Sequence, residues 1–406
     1  MGLLAALDFH KRLQSGVVEE CAEVEYQLYS LGEIYPPFLG DREHSIAARY
    51  IFRDFPFKLF SSSTPYDAPP QKLCLTFKAP YEVKKDTGTF QMSGIFSDEI
   101  AKEFAAFLSL VTRRRVFVGK QIRYNGLPIE QEVDLYQQSH FQERQRLKEI
   151  EPKEIYQLLE NLQAMDRHIA NGFILAMRLY HTAVEMMYTE PEFSYLFLVM
   201  SLEAISSIVY KDFWPSDVGN GRTEIDQSLD SSYSGWHKLC DTSTPERRVQ
   251  VIKMLLTKAY LTFRKLSKFV NENVPERFWF ETEDDAKPDY LTRIIEPGPD
   301  GLGHECISHS DITIQEWEKL KKESLTRVLR DIYTARSKLI HEGIRLPASI
   351  VGGHFSRIPI EAIDEITQLS HEGQTEYSPP IPPLLTFERL VSYSMVEFLR
   401  KQQGEV

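Results

Sequence analysis

The chain has 406 residues and a formal net charge of −12, with 42% hydrophobic and 26% charged residues. This is the composition of an ordinary globular protein, with enough residues for a large core and for two or three domains. The negative charge counts against broad electrostatic binding of DNA or RNA, which needs a surplus of Lys and Arg on one face. A local basic pocket stays compatible with it.

The N-terminus does not have the layout of a secretory signal, because only a short apolar stretch precedes its first charge. Gly2 begins a myristoylation pattern, but Ala6 stands where that pattern needs Ser or Thr. The cysteines are scattered along the chain, as expected for free thiols in a reducing compartment. They are Cys21, Cys74, Cys240 and Cys306. We therefore predict a cytoplasmic protein.

Residues 1–150 predict a small α+β domain. Apolar and aromatic residues recur at every second position around Val24–Tyr29, Tyr50–Phe55 and Lys72–Lys78, which is typical of β-strands. One helix is predicted from Ser97, where an N-cap residue is followed by acidic residues and by an apolar stripe of helical spacing. We expect this domain to sense a trigger, to position a target or to bind a protein partner.

Residues 151–406 predict a mainly α-helical bundle with long loop inserts. The helical periodicity covers residues 155–187, 193–210, 247–270, 312–341 and 383–402, and loops are predicted over 212–244 and 271–311. The run from Phe193 to Tyr210 is the most apolar of the chain. Its serines and Glu203 favour a core helix over a membrane span, so we predict no membrane association.

Two further groups of residues have weaker patterns. Loop residues that zinc could use are His237, Cys240, His304, Cys306 and His309, but their spacing is not that of a compact zinc site. The basic run at Arg113–Arg115, with Lys120 and Arg123, has the residue types of a nucleic-acid or partner patch, but it follows a helix and enters a strand, where charged flanking residues are routine. The chain contains no P-loop, dinucleotide-binding or nucleophile-elbow motif. We predict neither a metal nor a cofactor.

The most informative segment is Tyr333–Gly343, which carries Arg336 and His341 on one predicted helix. Arg336 lies on the apolar side of that helix, where a guanidinium needs a partner because an unpaired buried charge is costly. Glu203 lies in the apolar Phe193–Tyr210 helix and needs a cation for the same reason. We therefore predict a Glu203–Arg336 ion pair that joins two core helices.

His341 lies five positions after Arg336, so their side chains point about 140° apart on an ideal helix. Either the helix end distorts at Gly343, or a site that uses both residues is shared between two copies of the chain. A purely structural interpretation is also open. In it, Arg336 only pairs with an internal carboxylate, and His341 only stabilises the C-terminal end of the helix, where a cation is favoured.

Two motifs resemble the HEPN superfamily, in particular its Apea-like branch. They are Ser201-Leu-Glu203-Ala-Ile and Tyr333-x-x-Arg336-Ser337-Lys338-Leu-Ile-His341. The similarity covers about residues 152–345. It implies a helical bundle that forms homodimers in which two Arg–His pairs face one cleft. It also implies a metal-independent endoribonuclease, in a phage-defence or toxin-like role.

The chemistry that this resemblance implies fits the residue types. The RNA 2′-OH would attack the adjacent phosphorus, which explains selectivity for RNA over DNA. His341 would move protons as general base or acid, and Arg336 would stabilise charge on the phosphoryl oxygens. Glu203 and Tyr333 would support Arg336. Ser337 and Lys338 would contact phosphate, or would simply be solvated helix surface.

The alternative is a non-catalytic HEPN-fold module that binds RNA, a nucleotide or a protein. The acidic balance of the chain favours this alternative. So do two positions in the motif: Ser337 stands where nuclease members often have Asn, Asp or His, and Glu342 separates His341 from Gly343. The intact Arg336/His341 pair favours the enzyme.

Overall fold

A computed structural model of the chain describes residues 2–16, 21–30, 50–52, 57–61, 71–80, 94–124, 127–128, 152–187, 189–213, 261–280, 291–297, 303–309, 320, 322–346, 367–369, 375–377, 381–382 and 384–402. In these ranges the chain forms eight α-helices and ten β-strands, which is the mixed α+β composition that the sequence predicts. The boundary predicted near residue 150 lies outside the described residues.

The helices are α1 (Gly2–Gln14), α2 (Gly94–Thr112), α3 (Pro152–Ala164), α4 (Arg167–Met186), α5 (Pro191–Val209), α6 (Leu261–Asn273), α7 (Leu325–Glu342) and α8 (Leu384–Lys401). The strands are β1 (Cys21–Ser30), β2 (Tyr50–Phe52), β3 (Phe57–Ser61), β4 (Gln71–Pro80), β5 (Val116–Tyr124), β6 (Leu127–Pro128), β7 (Leu291–Pro297), β8 (Gly303–His309), β9 (Thr367–Leu369) and β10 (Thr375–Tyr377). Short 3-10 turns cover Glu276–Trp279 and Lys322–Ser324.

Strands β1 to β6 form one antiparallel sheet in the order β2-β3-β4-β1-β5-β6. The alternation that predicts β1 from sequence is confirmed, because Val24, Tyr26 and Leu28 are all buried. In the antiparallel register Val24 lies opposite Phe77, and Tyr26 lies opposite Leu75. One face of the sheet therefore packs into the core, as period-two patterning requires.

Helix α2 covers the buried face of the sheet and begins at Gly94, three residues before the predicted start at Ser97. The Tyr26 hydroxyl donates to Asp98 Oδ1 at 2.6 Å and lies 2.8 Å from Ser97 Oγ. Phe57 and Phe104 pack with ring centroids 4.7 Å apart. These contacts fix the helix on the sheet.

Helix α1 was not predicted from the sequence. Its apolar side is buried against α2, and the Leu3 N–H donates to Glu103 Oε2 at 2.8 Å. A Cβ on Gly2 would lie 2.8 Å from the backbone nitrogen of Ile100, so a larger residue does not fit there. Glu103 is itself only 1% exposed and lies 3.7 Å from the Arg178 guanidinium.

Glu103 gives the stability of this junction a defined pH dependence. Burial raises the pKa of Glu103 above its ordinary value of 4.5, although the Leu3 hydrogen bond and Arg178 act in the opposite direction. The stabilisation from this group is therefore fully present below pH 4.5 and is lost as the pH rises through the raised native pKa. Urea titrations of wild type and Glu103→Gln measure this effect. We expect the difference in unfolding free energy, wild type minus variant, to fall from pH 4 to pH 8. A difference that rises with pH would show that the charge pair with Arg178 dominates.

The single helical stretch predicted over residues 155–187 is wrong in one respect, because it is two helices. Asp166 accepts hydrogen bonds from the N–H groups of His168 and Ile169 and so caps a new helix, α4. An Asp side chain competes for backbone donors in this way, which favours helix starts over helix interiors. The apolar periodicity of the sequence continues across Asp166, so the pattern does not reveal the break between the two helices.

Helices α4 and α5 form a close antiparallel pair. A Cβ on Gly172 would lie 2.1 Å from the Ile208 Cδ1 atom, so glycine permits this approach. Helix α8 packs against α2, α3, α5 and α6, and nearly all of its side chains are buried. The hydrophobic core of the described residues is continuous from Leu3 to Leu399.

The C-terminal part of the chain differs from the predictions in two places. Residues 271–311 were predicted as loop, whereas β7 and β8 pair there as an antiparallel hairpin. Helix α7 begins at Leu325 and not at the predicted residue 312, and Lys322–Ser324 precede it as a 3-10 turn. Of the helix predicted over residues 247–270, the segment up to residue 260 lies outside the described residues.

A buried polar cluster joins α2, α4 and α8. Arg113 Nη2 donates to Glu388 Oε2 at 2.6 Å, and the Tyr180 hydroxyl donates to Glu388 Oε1. Arg113 has a positive φ of 55°, which is uncommon for a residue other than glycine. The sequence analysis treated Arg113 as a routine flanking charge. That interpretation is wrong, since the residue is only 2% exposed.

Candidate functional site

The predicted ion pair between α5 and α7 is confirmed. Arg336 Nη2 donates to Glu203 Oε2 at 3.3 Å. The two side chains are 21% and 16% exposed, so the pair lies at the edge of the core and not deep inside it. Each residue is the partner that the sequence predicted for the other.

Aromatic side chains from α6 and α7 border this pair. The Arg336 guanidinium carbon lies 5.8 Å from the centroid of the Tyr333 ring, and the Phe263 ring lies 5.9 Å from that of Tyr333. Burial raises the pKa of Glu203, and the charge of Arg336 opposes this rise. Burial and the nearby Glu203 charge raise the pKa of Tyr333, so Tyr333 stays neutral near pH 7. The guanidinium is thus held in one place by a carboxylate and a ring.

Arg336 keeps hydrogen-bonding capacity beyond this pair. A guanidinium has five N–H donors, and the contact with Glu203 uses one nitrogen. Nε is buried and has no hydrogen-bond partner among the described residues. The partly exposed end of the guanidinium can therefore donate to an anion from outside.

His341 lies exposed in the last turn of α7. The helix stays regular through Glu342, and Gly343 then ends it in the left-handed conformation, with φ 68° and ψ 17°. The N–H of Gly343 and, at 3.3 Å, that of Ile344 both donate to the Lys338 carbonyl. The helix end is therefore not distorted in a way that turns His341 toward Arg336. One copy of the chain leaves the two side chains about 140° apart.

Two other predicted site residues, Ser337 and Lys338, lie between these two in sequence, and Tyr333 precedes Arg336 by one helical turn. Ser337 and Tyr333 are half-buried, while Lys338 is exposed. Ile340 and Ile344, on either side of His341 along the chain, are 44% and 49% exposed. His341 is thus next to apolar side chains that face solvent in a single copy.

Arg327 and Arg330, both exposed on α7, were not predicted from the sequence as site residues. On an ideal helix they lie on the same side as Lys338 and His341. Charge periodicity at helical spacing was the signal that could have found them.

The described residues contain no group of three or more His, Cys, Asp or Glu side chains that could hold a metal ion. Of the five loop residues considered for zinc, His237 and Cys240 lie outside the described residues. His304, Cys306 and His309 belong to β8, which the sequence analysis placed in a loop.

Among the described helices, α5 is long and apolar enough to cross a membrane by length and composition alone. It packs against α4, α6 and α8, as expected for the core helix predicted from the sequence. Ser201 of this helix also bonds inside the protein, since its Oγ donates to the Ala176 carbonyl at 2.7 Å. The cytoplasmic location stays a prediction.

No family model, no curated protein and no solved structure matches this chain. The resemblance to Apea-like HEPN proteins therefore rests on the two sequence motifs alone. Both the family and its function are proposals.

Proposed function

We propose that this protein is a metal-independent endoribonuclease of HEPN type that acts as a homodimer. The observation that carries the proposal is the state of Arg336, which is fixed by Glu203 but still partly exposed. It lies on the same helix as an exposed His341. A fixed guanidinium and an exposed imidazole are the two groups that RNA cleavage through the 2′-OH needs.

In the proposed reaction, His341 accepts the proton of a ribose 2′-OH as that oxygen attacks the adjacent phosphorus. The P–O5′ bond breaks, the 5′-oxygen takes a proton from water, and a 2′,3′-cyclic phosphate remains; the protonated His341 then returns its proton to the solvent. Arg336 donates to the phosphoryl oxygens while their negative charge grows. Glu203 and Tyr333 act as positioning residues, because their contacts fix the guanidinium before RNA arrives.

A second copy completes this site in the proposal. Arg336 and His341 diverge on a regular helix, so a pair that works on one phosphate would combine Arg336 of one copy with His341 of the other. The exposed Ile340 and Ile344 supply apolar surface beside His341 for such a contact. The six-stranded sheet and its helices would sense a trigger or position the RNA, in a defence or toxin-like role in the cytoplasm.

The second candidate function is a non-catalytic module that binds RNA, a nucleotide or a protein partner. It is favoured by one specific observation: the only charged partner of Arg336 among the described residues is Glu203, on the side of α7 that faces away from His341. In this alternative the ion pair joins α5 to α7 and has no catalytic duty.

Purified protein is expected to cleave end-labelled single-stranded RNA in the presence of EDTA and to leave a 2′,3′-cyclic phosphate. The matched substrate carries one 2′-deoxy nucleotide at the mapped cleavage position, where cleavage should stop because the attacking oxygen is missing. Cleavage that requires Mg²⁺, or equal cleavage of the deoxy substrate, would contradict the proposal. Binding of RNA without cleavage would favour the non-catalytic module.

A further inference from the structure

The outer face of α7 carries a line of positive charge. Arg327, Arg330, Lys338 and His341 are all exposed there. At about 100° per residue they fall within an arc of about 80°, and Thr334 lies inside the same arc. We refer to Arg327, Arg330 and Lys338 as the basic stripe.

The basic stripe is separate from the ion pair that holds Arg336. Arg336 lies nine positions after Arg327, which places them on opposite sides of the helix, about 180° apart. The side that carries Arg336 also carries Val328, Leu329 and Ile332, all buried in the core. The stripe therefore faces solvent, while Arg336 faces the bundle edge.

These cations lack an ion-pair partner among the described residues. No carboxylate lies within ion-pair distance of Arg327, Arg330 or Lys338 in the part of the chain that the structure describes. Asp331 and Glu342 lie at the border of the stripe, and Asp331 interacts electrostatically with both arginines. An exposed Arg345 follows the helix end. On a chain with a net charge of −12, this is a local surplus of cations on one face.

We propose that a single strand of RNA lies along the outer face of α7, with successive phosphates on the basic stripe and with its path ending at His341. From Arg327 to His341 the helix rises about 21 Å, at about 1.5 Å per residue, which is long enough for several phosphates. The stripe holds the backbone without reading bases, and it directs a ribose toward the imidazole. This assignment rests on the proposed function for the choice of RNA as the ligand.

An anionic membrane surface fits the same face less well. A helix that binds a membrane inserts an apolar face between the head groups, with basic residues on its flanks. The apolar side of α7 is buried against the rest of the protein from Leu325 to Ala335, and Ile340 near the helix end is exposed. The stripe itself is a narrow polar line without apolar side chains to insert, and that shape suits a strand of phosphates better than a lipid surface.

The test measures binding of 2′-O-methyl RNA, which cannot be cleaved through the 2′-OH, as a function of salt concentration. The stripe variant is Arg327→Gln/Arg330→Gln/Lys338→Gln. Its control is Lys11→Gln/Lys102→Gln/Lys153→Gln, which removes three exposed lysines elsewhere and changes the net charge equally. For the stripe variant we expect log K for RNA binding to fall less steeply with log salt concentration. The magnitude of the slope should drop by about 2, because each lost phosphate contact accounts for about 0.7. The control should leave the slope unchanged.

Equal losses in both variants, or no loss in the stripe variant, would overturn the assignment. So would stripe-dependent binding to vesicles of anionic phospholipid together with stripe-independent binding of RNA. The fate of the ribonuclease proposal is read separately. A wild-type protein that does not cleave RNA, but whose binding needs the stripe, keeps the RNA path and loses the activity. If wild type cleaves RNA and the stripe variant binds RNA as wild type does, the activity is kept and the RNA path along α7 is lost.

Discussion

Replacing Glu388 with Ala is expected to lower the free energy of unfolding by about 3–5 kcal/mol, because it leaves a buried guanidinium without its carboxylate. The Arg113 and Glu388 side chains are 3% and 0% exposed, and Arg113 donates to Glu388 from both Nε and Nη2. Tyr180 donates to the same carboxylate. Removal of one acceptor thus disturbs two buried donors, one on α4 and one directly after the end of α2.

A matched control lies on the same helix. Glu397 accepts from Arg400 at 3.3 Å, but both side chains are 24% exposed, so solvent screens the pair. Glu397→Ala is therefore expected to cost no more than about 1 kcal/mol. Urea titrations that follow helicity and tryptophan fluorescence measure both variants. Equal costs for the two substitutions would show that the buried cluster does not stabilise the fold as argued.

A third variant separates loss of the pair from loss of packing. Arg113→Met/Tyr180→Phe/Glu388→Leu replaces all three polar groups with apolar side chains of similar size. Buried ion pairs replaced in this way often cost little, because the desolvation of both charges disappears as well. We expect the triple variant to be clearly more stable than Glu388→Ala. If the triple variant is less stable than Glu388→Ala, the three polar groups stabilise the fold by more than the pairing of opposite charges with each other.

Sequence alone predicted the parts of the fold in which local pattern and burial agree. Period-two alternation in β1 and helical periodicity in α2, α5 and α8 mark sides that the core covers. The Glu203–Arg336 pair was predictable because each charge lies on an otherwise apolar helix face and so needed an internal partner. In these places one rule about burial decides the structure.

The misses have a different origin, because long-range contacts decide them. Helix α1 is held by Glu103, 100 positions away from Leu3 in sequence. Arg113 is buried because Glu388, 275 positions away, meets it. Neither local charge nor local periodicity contains that information. The break between α3 and α4 is local, but the apolar stripe continues across Asp166 and concealed it.

For the site, sequence predicted the ion pair and the divergence of Arg336 and His341 but left open how the divergence is resolved. The regular end of α7 at Gly343 removes distortion as the answer. What remains is a site shared between two copies, or no shared site at all. These two possibilities predict opposite results for mixtures of variants.

His341→Ala is expected to reduce RNA cleavage by about 10²–10⁴-fold, the usual contribution of a positioned acid or base. His341 is exposed on the last turn of α7, so the unfolding free energy should change by no more than about 0.5 kcal/mol. His168→Ala, at an exposed histidine in the first turn of α4, is the control and should keep full activity. Cleavage that survives His341→Ala would remove this residue from the reaction.

Arg336→Ala should also reduce RNA cleavage, by about 10²–10³-fold, because a fixed donor to the phosphoryl oxygens is lost. Unlike His341→Ala, it should also lower stability, since Glu203 loses its cation.

Mixing the two inactive variants then tests the shared site. If Arg336 of one copy works with His341 of the other, a mixed dimer has one site with both residues intact, and subunit exchange restores part of the activity. If no site is shared between copies, every copy in the mixture lacks one of the two residues, and the mixture stays inactive.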